Sequence, residues 1–144
     1  MIENFNDNFR ELCLNLKIDE RKFILGLSGG IDSMALLSLL KRFIVSNKSL
    51  KIEVFPVIID HDLRSNSSNE AKAVQDIALS HGFKTIIKKI IIKKPSGNIQ
   101  NWARKERRRI LCDVAFEFSA NLILGHHVDD LVETIFMRSV KGSG

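Results

Sequence analysis

The sequence has no tyrosine, one tryptophan, two prolines and two cysteines in 144 residues. Each shortage excludes something. Cys13 and Cys112 lie about a hundred positions apart in apolar, helix-like stretches and form no CxxC pair. Neither a disulfide framework nor a cysteine-based redox or metal centre is encoded, and buried thiols in a reducing cytoplasm are expected. No apolar run approaches the roughly 18 residues of a membrane span. The N-terminus is punctuated by charges from Glu3 onward, which excludes a secretory signal. A cytoplasmic protein with no membrane partner is therefore expected. Internal repeats, low-complexity tracts and linkers are also missing, and nothing in the sequence signals an oligomeric state.

What is present suits one globular unit. The length falls within the roughly 100–200 residues of a single domain, and 44% apolar with 27% charged residues can bury a core. Residues 1–20 read as an N-terminal helix and 21–144 as the domain proper. The formal charge is +5. The first 72 residues carry ten bases and ten acids, so the whole excess lies in the second half. Lys84 to Arg109 holds ten bases against one acid, Glu106. Such a strip suits a phosphate-rich ligand or RNA, or else a solvated charged face.

Helical and continuous apolar segments alternate along the chain. Phe5, Phe9, Leu12 and Leu16 recur at helical spacing. Lys22–Leu27 reads as a buried strand, ended by Ser28-Gly29-Gly30. Asp32 or Ser33 can cap the following apolar helix. Ile52–Ile59 is a second strand in which Pro56 predicts an interruption or bulge. Ser67 and Glu70 have the spacing of a capping box, and Gly82 stops that helix. Thr85–Ile92 is a third strand. Asn98 can cap a long helix from about Ile99 to Phe118, Leu122–Leu124 is a short strand, and Val128–Val140 is a last helix. This order predicts an α/β fold: a doubly wound, mostly parallel sheet with helices on both faces. Ligands of such sheets bind beyond the carboxyl ends of the strands. The chemistry should then sit in Ser28–Ser33, Asp60–Ser65, Pro95–Gln100 and Gly125–Asp130. The chain stops at Gly142-Ser143-Gly144 directly after the last expected helix, as a truncated domain would.

Ser28-Gly29-Gly30-Ile31-Asp32-Ser33 stands between a strand and a helix. Its glycines let the backbone approach an anion, its amides point outward, and its hydroxyls can donate to phosphate. Asp32 repels bare phosphate but suits a Mg²⁺ lying between them. The pattern is neither Walker A nor the dinucleotide fingerprint, and an ordinary capped Gly-Gly turn is the alternative. In the last block, helical spacing would place His126, His127, Asp130 and Glu133 on one face, fit for metal, substrate or proton handling, or simply for a solvated helix start. The block lacks zinc-protease spacing and has no nearby cysteine.

These residues also carry a resemblance. SGGIDS after an apolar strand resembles the PP-loop of the ATP pyrophosphatases. Asp60-His61-Asp62-Leu63-Arg64, Asn98-Ile99-Gln100-Asn101-Trp102-Ala103-Arg104, and Gly125-His126-His127-Val128-Asp129-Asp130 with Glu133-Thr134, Met137-Arg138 and Gly142-Ser143-Gly144 are similar, in order, to the blocks of the tRNA(Ile)-lysidine synthetase family. The resemblance spans residues 24–144. It implies ATP, with Mg²⁺, as cofactors, and L-lysine and a tRNA(Ile) with a CAU anticodon as partners. ATP would adenylate the C2 oxygen of the wobble cytidine, and lysine would displace AMP to give lysidine. By the same resemblance Ser28, Gly29, Gly30, Ile31, Asp32 and Ser33 hold ATP, with Asp32 toward Mg²⁺. His127, Asp130 and Arg104 would be catalytic, and His61, Arg64, Asn98, Glu133 and Arg138 would bind substrate. Three departures stand out: Asp62 replaces a usual Gly, Leu131 a frequent Gln, and Arg108 an aromatic residue. Asp62 bears on the local turn, since Asp adopts positive φ less readily than Gly.

Three rival readings remain. A tRNA-thiolating enzyme of the same superfamily would want sulfur-carrying cysteines, which Cys13 and Cys112 do not supply as a pair. A metal-dependent phosphohydrolase could use Asp60-His61-Asp62 with the His126–Asp130 segment. A non-catalytic RNA-binding module would rest on the Lys84–Arg109 charge alone.

Overall fold

The computed structural model describes residues 2–125 and 134–137. Its elements run α1 (Ile2–Leu14), β1 (Lys22–Gly26), α2 (Ile31–Ser46), β2 (Glu53–Asp60), α3 (Ser67–Ser80), β3 (Ile86–Lys89), α4 (Ile99–Glu117), β4 (Asn121–Gly125) and β5 (Thr134–Met137). The strands form one sheet in the order β3-β2-β1-β4-β5. β1 to β4 are parallel, and β5 pairs antiparallel with β4 from Leu122↔Met137 to Gly125↔Thr134.

The layering follows from chain direction. From β1 the chain steps to β2 and β3 on one side, through α2 and α3, and then crosses back over β1 to lay down β4 through α4. Right-handed crossovers put helices of opposite travel on opposite faces. Phe23, Leu25 and Leu27 of β1 and its exit share a core with α2 (Leu36, Leu37, Leu40, Phe43) and α3 (Ala71, Ala78). Ile24, Val57 and Leu122 face the other way, onto Leu111, Val114 and Ala115 of α4. The helix α1 joins the first core through Phe5, Phe9 and Cys13. Phe9 is fully buried, with ring centroids 5.1 Å from Phe23 and 4.9 Å from Phe43. Buried Arg21 ties the end of α1 to the sheet, donating to the carbonyls of Cys13 (2.7 Å) and Leu50 (2.9 Å).

Four local expectations are corrected. Pro56 makes no bulge: the register runs unbroken from Lys22↔Glu53 to Gly26↔Val57. Val57 turns its carbonyl to β1, where Leu27 donates at 2.9 Å, so Pro56 turns its missing donor toward β3, ahead of the first registered pair, Val57↔Ile86. No capping box forms, since α3 starts from Asn66 without a side-chain cap and Glu70 turns instead to Arg64. Residues 134–137, expected within a helix, are strand; their run Thr-Ile-Phe-Met suits a pleated edge, and its pairing covers the open side of β4. Finally, Cys13 is buried, which pushes its thiol up to about 11, but Cys112 is exposed. The buried face of α4 is set by Leu111, Val114 and Ala115, and position 112 lies about 100° around the helix from Leu111.

Truncating Phe9 to Ala should remove the centre of the α1 contact. An expected loss of about 3–5 kcal/mol, as for large-to-small changes at fully buried aromatics, is measurable from the denaturant midpoint.

Candidate functional site: a phosphate loop beside a basic cleft

Gly26 ends β1, and Gly30 is the N-cap of α2 with extended backbone. Asp32 and Ser33 thus lie in the first helical turn rather than capping it. Buried Ser33 instead organises the loop. Its Oγ accepts the amides of Ser28 and Gly29, both at 3.2 Å, and lies 3.0 Å from the Ser28 hydroxyl. It also donates to the Gly30 carbonyl at 3.2 Å. Gly29 has φ +87°, and a Cβ there would sit 2.7 Å from Val74 Cγ2. The Gly30 amide donates to Ser28 Oγ at 3.3 Å, so the amides expected to point outward turn instead onto the loop's own hydroxyls. Ile31 is 76% exposed, so this helix start opens to solvent. One oxygen of Asp32, Oδ1, is buried with no hydrogen-bond partner among the described residues. Among the described residues no donor or cation reaches this oxygen, and a carboxylate oxygen suits a hard divalent cation shared with phosphate.

At the end of the neighbouring β2, Asp60 is buried and its carboxylate pins the next loop. Oδ1 accepts the Asp62 amide at 3.0 Å, and Oδ2 accepts the Ser68 hydroxyl at 2.9 Å. Burial pushes this carboxyl up, but the Ser68 hydroxyl, the Asp62 amide and the charge of Lys89 outweigh it and hold it below the ordinary carboxylate value. Asp62 adopts φ +54°, so Asp makes the left-handed turn for which a Gly is expected. The Asp60 contact to its amide supports that conformation. The Leu63 amide donates to His61 Nδ1 at 3.2 Å, which puts the proton of neutral His61 on Nε2. Arg64 pairs with Glu70 at 2.6 Å on the surface.

A cleft of about 750 Å³ lies between this loop and α4, lined by His61, Leu63, Arg64, Lys94, Ile99, Gln100, Ala103, Arg104 and Arg107. Three of the expected site residues, His61, Arg64 and Arg104, meet in it. Asn98, expected to cap α4 by its side chain, makes no such bond; it enters the helix with φ +52°, a left-handed conformation that Asn tolerates. Arg104 and Arg107 are one helical turn apart and have no carboxylate partner among the described residues. The protein around Arg107 and the like charge of Arg104 lower its pKa from the ordinary arginine value, although its side chain keeps solvent access. A guanidinium is charged at neutral pH, so the cleft confines positive charges that an anion would relieve. By contrast, Arg109 is matched on the far side of α4 by Glu106 and Asp113, each at 3.0 Å.

Sequence reading missed Lys94 and Arg107. Lys94 was counted next to a strand running to Ile92, but β3 ends at Lys89, so the loop begins earlier. Arg107 could have been found from its i,i+3 relation to Arg104. His126, His127, Asp130, Glu133 and Arg138 lie outside the described residues. Asp60, His61 and Asp62 do not converge as a metal site: the first is held by an amide and a hydroxyl, the second by Leu63, and the third pairs with Lys89 at 3.8 Å. Among the described residues no three His, Cys, Asp or Glu side chains cluster for a metal, and no helix is long and apolar enough to cross a membrane.

Comparison with known proteins places these features. The PP-loop domain family matches residues 1–144. The tRNA(Ile)-lysidine synthase of Orientia tsutsugamushi is 40% identical over 124 residues, covering 85% of this chain and 27% of that protein. That of Streptococcus sanguinis is 41% identical over 128 residues, covering 87% and 28%. The enzyme of Thermosipho africanus is 31% identical over 149 aligned residues, covering 100% and 34%. The chain thus spans about a quarter to a third of the length of these relatives. Among solved structures, the U34-tRNA thiolase NcsA from Methanococcus maripaludis shares the fold, with a TM-score of 0.66 at 20% identity over 90% of this chain and 46% of that one.

Two outcomes test the geometry. Gly29→Ala forces a Cβ against Val74 at positive φ and should cost about 1–3 kcal/mol in thermal unfolding. A carboxyl held low in the fold contributes stability above its unfolded value of about 3.9, and loses that contribution as pH falls through the folded value. The stability gap between wild type and Asp60→Asn should therefore be full at pH 6–7 and shrink below about pH 4 in urea titrations.

Proposed function

This chain belongs to the PP-loop family, and from that premise we propose that it is the nucleotide-binding part of a cytoplasmic tRNA(Ile)-lysidine synthase. The observation that carries the reading is that the Ser28–Ser33 loop and the loop whose His61, Leu63 and Arg64 line a basic cleft with Arg104 of α4 follow the carboxyl ends of the neighbouring parallel strands β1 and β2. An amide cradle for pyrophosphate beside a cationic cleft suits a reaction that brings a triphosphate to an RNA.

The substrates are ATP, L-lysine and tRNA(Ile) with a CAU anticodon. The C2 oxygen of the wobble cytidine attacks the α-phosphorus and pyrophosphate leaves. The ε-amine of lysine then attacks C2, and the C–O bond breaks to release AMP. In this reading pyrophosphate takes the amides of Ser28, Gly29 and Gly30 over from the Ser33 and Ser28 hydroxyls that accept them here, and those hydroxyls turn to donate to it. The exposed Ile31 flanks the opening of that cradle. Asp32 would hold Mg²⁺, which offsets the charge of the triphosphate. Arg104 neutralises charge developing on phosphate, His61, Arg64 and Asn98 contact the RNA or nucleotide, and His127, Asp130, Glu133 and Arg138 orient lysine and the base and move protons.

The assay is formation of a lysine adduct on a CAU-anticodon transcript that requires both ATP and lysine; a gene product that binds ATP yet forms none refutes the proposal. Asp32→Ala should lower ATP-dependent turnover by about 100-fold or more with the circular dichroism spectrum unchanged.

A further inference from the structure

The segment after β3 makes a contact that the reaction scheme leaves unused. Lys94 reaches back from this segment and donates its ammonium to the main-chain carbonyl of Asp62. The same Asp62 places its carboxylate 3.8 Å from Lys89 Nζ at the end of β3. Its amide is held by Asp60 at 3.0 Å, and its φ of +54° turns the carbonyl outward to Lys94. The post-β2 loop is thus latched to β3 and the segment after it by two polar contacts at one residue, which a third, to Asp60, holds within its own loop.

The latch faces the cleft, since Lys94 lines it opposite Arg104 and Arg107, with Arg64 alongside. Of these four cations, Arg64 is matched by Glu70, whereas Lys94 is held by a neutral carbonyl. A carbonyl fixes an ammonium without cancelling its charge, so Lys94 keeps its full attraction for a phosphate. It is solvent-exposed, which leaves its remaining donors open to a ligand.

We propose that Lys94, fixed by the Asp62 turn, is an additional phosphate-contacting residue of the cleft, and that Asp62 is the residue that positions it. The ligand chemistry is a phosphate group, from an RNA backbone or from a nucleoside triphosphate. This rests on the reading of the cleft as the place where nucleotide and tRNA meet. The lone tryptophan, Trp102, sits on α4 between the cleft residues Gln100 and Ala103 and offers a fluorescence signal.

The test compares wild type, Lys94→Gln, Asp62→Gly, Asp62→Val and the Lys94→Gln/Asp62→Val double variant of the 144-residue chain. Binding of ATP and of an unmodified CAU-anticodon tRNA(Ile) transcript is followed by Trp102 fluorescence across a salt series. Lys94→Gln should weaken one ligand by about 3–10-fold; if that ligand is the RNA, the salt slope should fall by about one unit. Loss in the RNA arm assigns the backbone as the phosphate source, and loss in the ATP arm assigns the triphosphate. Asp62→Gly keeps the left-handed turn and should bind like wild type. Asp62→Val, β-branched at positive φ, should match Lys94→Gln and add nothing to it in the double variant. Wild-type binding that Lys94→Gln leaves unchanged for both ligands overturns the inference while the functional reading stands. A wild-type chain that binds neither ligand overturns both. Additive losses in the double variant overturn the positioning role of Asp62.

Discussion

The handedness of the crossover between parallel strands governs the molecule. Because β1, β2 and β3 are laid down in one direction and β4 in the other, α2 and α3 must cover one face and α4 the opposite one. The strand order reverses beside β1, the position at which ligands of such sheets bind. The phosphate loop occupies one side of that reversal. The start of α4 returns from β3 across the same edge and meets the post-β2 loop, which gives the basic cleft its second wall. The site is a consequence of winding order rather than of any single motif.

Within that frame, short polar side chains do the shaping. Ser33 takes two amides of its own loop, and Asp60 holds the amide of Asp62 while accepting a hydroxyl from α3. Both are buried, where an unmade hydrogen bond is costly, so each fixes its loop more firmly than a surface contact could. Asp62 shows how a residue other than glycine is accommodated at positive φ. An amide contact supports the left-handed turn, and the carboxylate meets Lys89.

The charge of the second half is likewise sorted by the fold. Along α4 the basic run divides by helical phase: Arg109 is neutralised by Glu106 and Asp113 on one side, while Arg104 and Arg107 face the cleft on another. A count of bases along the chain treats these as equal, and only the helix geometry separates an ion-paired surface from an anion-seeking one.

Periodicity and punctuation in the sequence were enough for the strand and helix order through residue 125 and the parallel sheet, because apolar spacing and Gly or Asn stops act locally. The SGGIDS loop, Arg64 and Arg104 were legible for the same reason: each belongs to a contiguous block. What the sequence left open were features set by partners distant along the chain. Pro56 sits unbulged because of where β3 begins, Glu70 leaves its helix start for Arg64, and residues 134–137 pair as a strand with β4. Lys94 joins Asp62 across 32 positions, a contact that no local spacing encodes. Local sequence thus determined the elements and their polar ends. Tertiary structure decided which of those ends share a cleft, because only the crossovers bring segments distant along the chain to one place.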